Sequence, residues 1–497
     1  MSGFAGALNS IIANPDTSGL ALQNMNAVLT LIYLSLCVGI VIFVPPLVVP
    51  YVSDYGVFTA FDAAKAVLLC TALATAAGFY AYKRDIDGTF LLRLFVAGLI
   101  ARIVVGLAIF AFRGQDFFGG DAITYDFFGN AQLLGWAGDK YYQSIADQFV
   151  RAGQGSGWGM VYVVAAVYGI IGRNMLAIQL MNAVFGAATA VVIYLCAHQV
   201  FQNSRVARIA GLAVAFYPSL VLWSAQGLKD GPIVLCLAVA ILATLKLGSK
   251  LTMKYIAVLV VALLSLIALR FYVFYMISVA IAGAFVIGMQ QVTATSFARQ
   301  FSAIVLLGVA LTYVGVTRSA TAQFERYGNL EILNRSRKDQ ARSAESGFGR
   351  DVDVSSTTGA ISTIPIGVVY LLFAPFPWQI TSLRQSITLP EMVIWWASFP
   401  LLVLGLWFTV KYRLRMASPI LIFTVMLTLA YSVFQGNVGT AYRQRAQLLV
   451  FYFIFVAVGF VLMKEKREER KLRNEEERTR LSKRQIPVNS RVESEAN

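Results

Sequence analysis

The stretch RGQDFFGGDAITYDFFGNAQLLGWAGDKYY, from Arg113 to Tyr142, is the longest acid-bearing interruption in the first half of an otherwise very apolar chain. It holds Asp116, Asp121, Asp126 and Asp139, with Gly119 and Gly120 just ahead of Asp121 and aromatic residues on both sides. Paired glycines let the backbone turn sharply and leave the next carboxylate uncrowded. Aromatics in such a place settle at the headgroup level of a bilayer. Asp116 and Asp139 read as parts of a solvated loop, whereas Asp121 reads as the centre of a site.

Outside this stretch the composition is that of a membrane protein. Of 497 residues, 58% are hydrophobic and 13% charged, and the mean hydropathy is +0.67. Soluble domains carry roughly 45–50% apolar and 25% charged residues. The net charge of +15 does not point to nucleic acid, because the basic residues sit in short loops between apolar runs and in the C-terminal tail. That distribution is a topology signal and an attraction to anionic membrane lipid. Cys37, Cys70, Cys196 and Cys236 lie inside apolar runs without metal-ligand spacing, and a lone His198 excludes a multi-histidine metal site. No P-loop or dinucleotide fingerprint is present, which leaves ATP-driven transport without a motor. The first apolar run lacks a basic leader and a small-residue cleavage site, so it is expected to be retained.

A helix needs about 20 apolar residues to cross the hydrocarbon. Such runs lie near 26–50, 57–82, 92–112, 175–198, 208–226, 231–248, 253–269, 272–290, 300–317, 391–410, 417–434 and 446–463. The expectation is an all-α polytopic membrane protein of about twelve spans. It divides into a two-helix segment over 1–90, a main domain over 91–463 with large loops at 113–174 and 318–390, and a charged tail over 464–497. With these spans every basic connection falls on one side, as the positive-inside rule asks, and both termini join them there. Two apolar stretches are denied a crossing: 157–172 is short and broken by glycine, and 361–380 carries Pro365, Pro375 and Pro377. Both are expected as surface or re-entrant helices on the outer face.

Nearly all the chemistry then faces outward. The outer segments are that around Asp121, the turn Gln226 to Asp230, Arg270 to Tyr272, the polar loop from Arg318 to about Gly359, Ala374 to Trp378, and Gln435 to Arg445. Asp121 is the candidate general base toward an acceptor hydroxyl. Lys229, Arg270, Arg443 and Arg445 are candidates to neutralise a departing phosphate. Basic residues on the outer side run against the topological bias, so Arg443 and Arg445 call for an anion: Asp121, Asp230 or a ligand phosphate. Tyr125, Asp126 and Asp230 complete the candidate substrate contacts, and Trp378 could line a lipid or sugar site. A divalent cation, if one is used, would take Asp121, Asp126 and Asp230.

The order of these features resembles the polyprenyl-phosphate-dependent glycosyltransferases of the GT-C type, which include the protein O-mannosyltransferases and the lipid A aminoarabinose transferases. The resemblance runs from about Leu92 to Asp230, through GGDAITYD at Asp121 and FYPSLVLWSAQGLKD ending at Asp230. The later APFPW and GNVGTAYRQR look like segments of bacterial exopolysaccharide-cluster membrane proteins. It implies an inverting transferase at the outer face of a bacterial inner membrane, with a polyprenyl-phosphate-linked sugar as donor and a glycan, lipid or protein as acceptor. By analogy Asp121 is the first-loop catalytic acid and Asp230 the second outer acid. Many members pair adjacent acids in the first loop, whereas here Asp121 is followed by Ala122. The competing readings are an O-antigen-type polymerase or ligase, a lipid-glycan transporter and a scaffold in a polysaccharide-assembly complex. A transporter would need ionisable residues in mid-span, for which Lys65 and Arg102 are the candidates.

Overall fold

A chain with so little charge satisfies its backbone inside helices. The computed structural model describes residue 35 and residues 38–47, 51–52, 56–84, 86–112, 120–152, 158–288, 294–313, 329–343, 346–349, 351–380 and 383–484. Asp116 and residues 318–328 of the polar loop lie outside the described residues. A two-residue antiparallel ladder pairs Tyr51–Val52 with Gly56–Val57; apart from an isolated bridge between Gly347 and Asn437, the other regular structure among the described residues is helix. In chain order the helices are α1 (Val38–Leu47), α2 (Ala60–Tyr82), α3 (Gly88–Ala111), α4 (Asp121–Trp136), α5 (Lys140–Ala152), α6 (Trp158–Ile171), α7 (Met175–Phe201), α8 (Ser204–Phe216), α9 (Pro218–Ser224) and α10 (Asp230–Ser249). They continue with α11 (Met253–Ile287), α12 (Ala294–Tyr313), α13 (Leu330–Ser343), α14 (Thr357–Phe373), α15 (Leu383–Ser386), α16 (Leu389–Tyr412), α17 (Leu414–Phe434), α18 (Val438–Gln444) and α19 (Ala446–Arg484).

Small polar residues start several of them. Thr59 and Asp62 form a reciprocal capping box on α2, Asn174 caps α7, and Asn203 caps α8. Eight helices among the described residues are long and apolar enough to cross a membrane, namely α2, α3, α7, α10, α11, α16, α17 and α19. A ninth appears if α8 and α9, bent by 56° across Tyr217, count as one span. Pro218 supplies that bend: it starts α9 at N1, where its missing N–H costs nothing.

The count falls short of twelve for three reasons. The first run is described as helix only over 38–47, the run at 300–317 is a short apolar helix over Phe301–Tyr313, and the runs at 253–269 and 272–290 share α11. The turn expected at Arg270 is nevertheless there, since Arg270 alone leaves the helical backbone of α11 (φ −161°, ψ 87°). Beyond it, Tyr272 packs on Tyr431 and Phe434 at the end of α17, while Gly283 lies against Ile422, well before that end. The second half of α11 therefore runs back along α17. The two stretches denied a crossing form α6, 14 residues long, and α14, 17 residues long. At 1.5 Å per residue these reach about 21 and 26 Å, short of a hydrocarbon core about 30 Å thick.

Helices α7 and α19 are the most enclosed of the candidate spans, and α7 packs on α2, α3, α8 and α10. Helices α16 and α19 approach closely because each brings a glycine to the crossing: a Cβ on Gly405 would meet Phe455 O at 1.8 Å, and one on Gly459 would meet Leu401 O at 2.0 Å. Several of the predicted basic connections gather at one end, where Arg208 bonds Asp87, Arg205 reaches Glu468 and Lys246 bonds Gln199. The segments expected on the other side gather at the opposite end, around Asp121.

Candidate functional site

Four segments far apart in sequence meet there. Gly120 adopts a left-handed backbone (φ 72°) that a side chain would resist, and this turns the chain so that Asp121 opens α4. A carboxylate at a helix N-terminus is favoured by the helix dipole. The turn before α10 is fixed by Asn182, whose Nδ2 donates to the carbonyls of Gln226 and Leu228, both at 2.6 Å; this sets Lys229 and Asp230. Arg270 stands at the bend of α11. Arg443 comes from α18, which Asn437 caps.

Arg443 joins the two acids. Its Nη1 lies 2.5 Å from Asp121 Oδ2, and its Nη2 2.6 Å and Nε 2.7 Å from Asp230 Oδ2. Arg270 Nη2 approaches Asp230 Oδ1 at 3.5 Å. Asp230 is 2% exposed and Asp121 48%, so one acid is sealed in while the other faces open space. Burial works against the charge on Arg443, but Asp230 and Asp121 outweigh it and hold that guanidinium above the usual arginine value. Burial, reinforced by Arg270 and Arg443, lowers Lys229 to about 7 against the pull of Asp230 and Asp121. Two carboxylates thus oppose two guanidiniums plus a lysine that can take up a proton. Nε and Nη1 of Arg270 are buried and make no hydrogen bond among the described residues. The group carries spare donors and spare positive charge, which is the specification of an anion site.

A cleft of about 1180 Å³ opens at this group. One wall is apolar, built from Ala101 and Val105 of α3 with Phe216, Pro218, Val221 and Leu222 at the α8–α9 break. On α3 the neighbouring Ile100 and Val104 are 48% and 60% exposed, so this wall continues to the lipid-facing surface. The other wall is polar and includes Asp121, Lys229, Arg270, Arg443, Glu391 and Tyr442. Its rim carries Ser346, Pro375 and Asn437 from the loops.

Of the residues singled out in the sequence, Asp121, Lys229, Asp230, Arg270 and Arg443 come together. Tyr125 is buried beside them, with burial and then Asp121 raising its phenol. Asp126 is a correction: Tyr168 OH donates to it at 2.5 Å and Arg173 Nη2 at 2.5 Å, so it ties α4 to α6 and the start of α7. Arg445 is another: fully buried, its Nη1 donates to the carbonyls of Leu372 at 2.9 Å and Ala374 at 3.1 Å, closing the C-terminus of α14. Trp378 is 78% exposed, stacks on Phe376 and does not line the cleft. The cation set of Asp121, Asp126 and Asp230 is not assembled, since Asp126 is committed elsewhere and the other two close on Arg443; among the described residues no three His, Cys, Asp or Glu side chains converge.

Lys65 and Arg102, the two mid-span candidates for a transporter path, each have partners within the fold. Lys65 pairs with Asp62 at 3.3 Å. Arg102 gives its donors to Ser224 Oγ and to the carbonyls of Gly98, Val214 and Ala215, where the α8–α9 break leaves acceptors exposed. Sequence reasoning missed Glu391, Trp223 and Tyr442. Trp223 could have been found, since it lies in the stretch that ends at Lys229-Asp230.

Residues 158–314 match the dolichyl-phosphate-mannose-protein mannosyltransferase family. That stretch contains Lys229, Asp230 and Arg270, while Asp121 precedes it and Arg443 follows it. Among solved structures, the archaeal oligosaccharyltransferase AglB from Archaeoglobus fulgidus, in complex with an inhibitory peptide and a dolichol-phosphate, is similar at 16% identity and a TM-score of 0.35. The similarity covers 64% of this chain and 44% of that one, so the chain spans less than half the length of that relative. No curated protein matches the sequence. The similarity to that mannosyltransferase family covers 157 of the 497 residues, those from 158 to 314.

Proposed function

We propose that the protein transfers a sugar from a polyprenyl-phosphate donor to a hydroxyl of a glycan, lipid or protein acceptor at the outer face of a bacterial inner membrane. One observation carries this reading: the cleft has an apolar wall continuous with the lipid-facing surface, and at its head a cation-rich group beside an exposed carboxylate. A polyprenyl chain lies along α3 and the α8–α9 break. The donor phosphate takes the free donors of Arg270 and the charge of Lys229 and shares Arg443 with the acids. The acceptor oxygen attacks the anomeric carbon as its proton passes to an Asp121 oxygen. The bond from that carbon to the phosphate oxygen breaks, its electron pair leaves on the phosphate, and the three cations stabilise the charge. No step is assigned to a divalent ion.

Asp121→Asn tests the reading, because it keeps size and loses the base. In a deletion host complemented with the variant, glycan output should fall roughly 10²–10⁴-fold, the usual worth of a general base, with membrane abundance unchanged. Wild-type output at normal abundance would remove Asp121 from the chemistry.

A further inference from the structure

We infer that Glu391 is a positioning residue, which aims Arg443 through Tyr442 and holds it in register with the apolar wall through Tyr217 and Ser219. The inference rests on the donor reading above. Glu391 sits in the first turn of α16, is 4% exposed and lines the cleft shared by Asp121 and Arg443. Its Oε2 accepts from Tyr442 OH at 2.7 Å, and the hydroxyls of Ser219 and Tyr217 are further hydrogen-bond partners of the same carboxyl. One side chain thereby ties three elements together: α16, which carries it, α18, which carries Tyr442, and the α8–α9 break, where Tyr217 and Ser219 flank Pro218.

Helix α18 needs such a tie. It has seven residues, and helices this short do not hold themselves. Asn437 caps its start, which fixes where the helix begins but not how it is turned about its axis. Successive side chains on a helix point about 100° apart, so a hydrogen bond that pins Tyr442 also sets the direction in which Arg443 leaves. Trp223 of α9 supports the same pose: it packs edge-on to Tyr442 at 6.4 Å between ring centroids, and its ring lies 5.7 Å from the Arg443 guanidinium. That aim lets Arg443 span acids from two segments, Asp121 at 2.5 Å and Asp230 at 2.6 Å.

The other arm of Glu391 has its own consequence. Pro218, Val221 and Leu222 form part of the apolar wall, and the chain and phosphate of the donor are one molecule. Wall and cation must therefore keep a fixed spacing, and Glu391 is bonded to both sides. Small errors in such a placement are costly to a reaction.

The test measures binding by the full chain in lipid nanodiscs to undecaprenyl phosphate and to undecaprenol, which has the same chain and no phosphate. The ratio of the two affinities reports on the cations, whereas general damage to the fold lowers both together. Wild type should prefer the phosphate, and Arg443→Met should remove most of that preference. Tyr442→Phe and Glu391→Gln should each lower the ratio about tenfold, the scale of one well-made hydrogen bond to a charged group; Glu391→Asp, which draws the carboxyl back by one methylene, carries the test if Glu391→Gln does not accumulate folded. A wild-type ratio kept by the Glu391 variants overturns the positioning role, and if Tyr442→Phe alone lowers it, the Tyr442 hydroxyl touches the phosphate itself. A fall of both affinities in step overturns it too, as does an Arg443→Met that keeps the wild-type preference; in each of these cases the donor reading stands. A wild type that does not prefer the phosphate removes the donor reading, and the positioning role falls with it.

Discussion

Arg443 and Arg445 lie two residues apart on one short helix end, yet Arg443 bridges two carboxylates in the cleft while Arg445 closes the carbonyls of α14. Arg445→Met should therefore act on stability, because each buried carbonyl left without a donor costs about 1–3 kcal/mol; a lowered unfolding temperature in detergent with turnover per folded molecule retained is the expected outcome. Lys229 should make donor binding depend on pH. With a free-state pKa of about 7, the lysine gains a proton when a phosphate arrives, so affinity for undecaprenyl phosphate is greatest below pH 7 and declines as pH rises through and above it. Lys229→Met should flatten that profile, and binding titrations between pH 6 and pH 9 measure it (pH limits about one to two units either side of the lysine's value). Arg443 was legible in the sequence because a charge in so apolar a chain, on the side where basic residues are scarce, calls for a partner. Arg445 looked identical by that criterion: its acceptors are backbone carbonyls, which every residue owns and no sequence marks. The same holds for Arg102. Glu391 follows Pro390 at the mouth of an apolar run and reads as the ordinary edge of a span.

Helices α11 and α8–α9 show what periodicity reveals at the scale of an element. Both are apolar over most of their length, so the sequence announces that length and says little about where they bend; the bend of α11 was legible through Arg270, whereas 208–226 reads as one run and its bend at Pro218 was not expected. The close crossing of α16 and α19 was not legible at all, because a glycine in an apolar run carries no mark of what faces it. Gly459→Val should block that crossing, since its Cβ would fall 2.0 Å from Leu401 O. Folded protein in the membrane should drop sharply, whereas Gly308→Val in α12, where a Cβ meets nothing within 4 Å, should leave abundance near wild type. Fluorescence size-exclusion profiles of the two variants, made side by side, provide the comparison.

The whole molecule has two chemically different ends, and this division was the part most readable from sequence, because a consistent sidedness of basic loops constrains all the spans at once. The proposed outward placement of the site predicts that a single cysteine at Trp378, 78% exposed, reacts with a membrane-impermeant maleimide in intact cells, in a background where the native cysteines are replaced. One at Arg205, 67% exposed, should react only after permeabilisation; the reverse pattern would turn the molecule over. The apolar wall along α3, continuous with the lipid-facing side chains of Ile100 and Val104, also decides which concentration governs the rate. A donor that enters from the side, within the plane of the bilayer, is met at its mole fraction among the lipids and not at its amount per litre. Diluting the proteoliposome with inert phospholipid, at fixed total donor and fixed protein, should slow turnover as if substrate had been withdrawn.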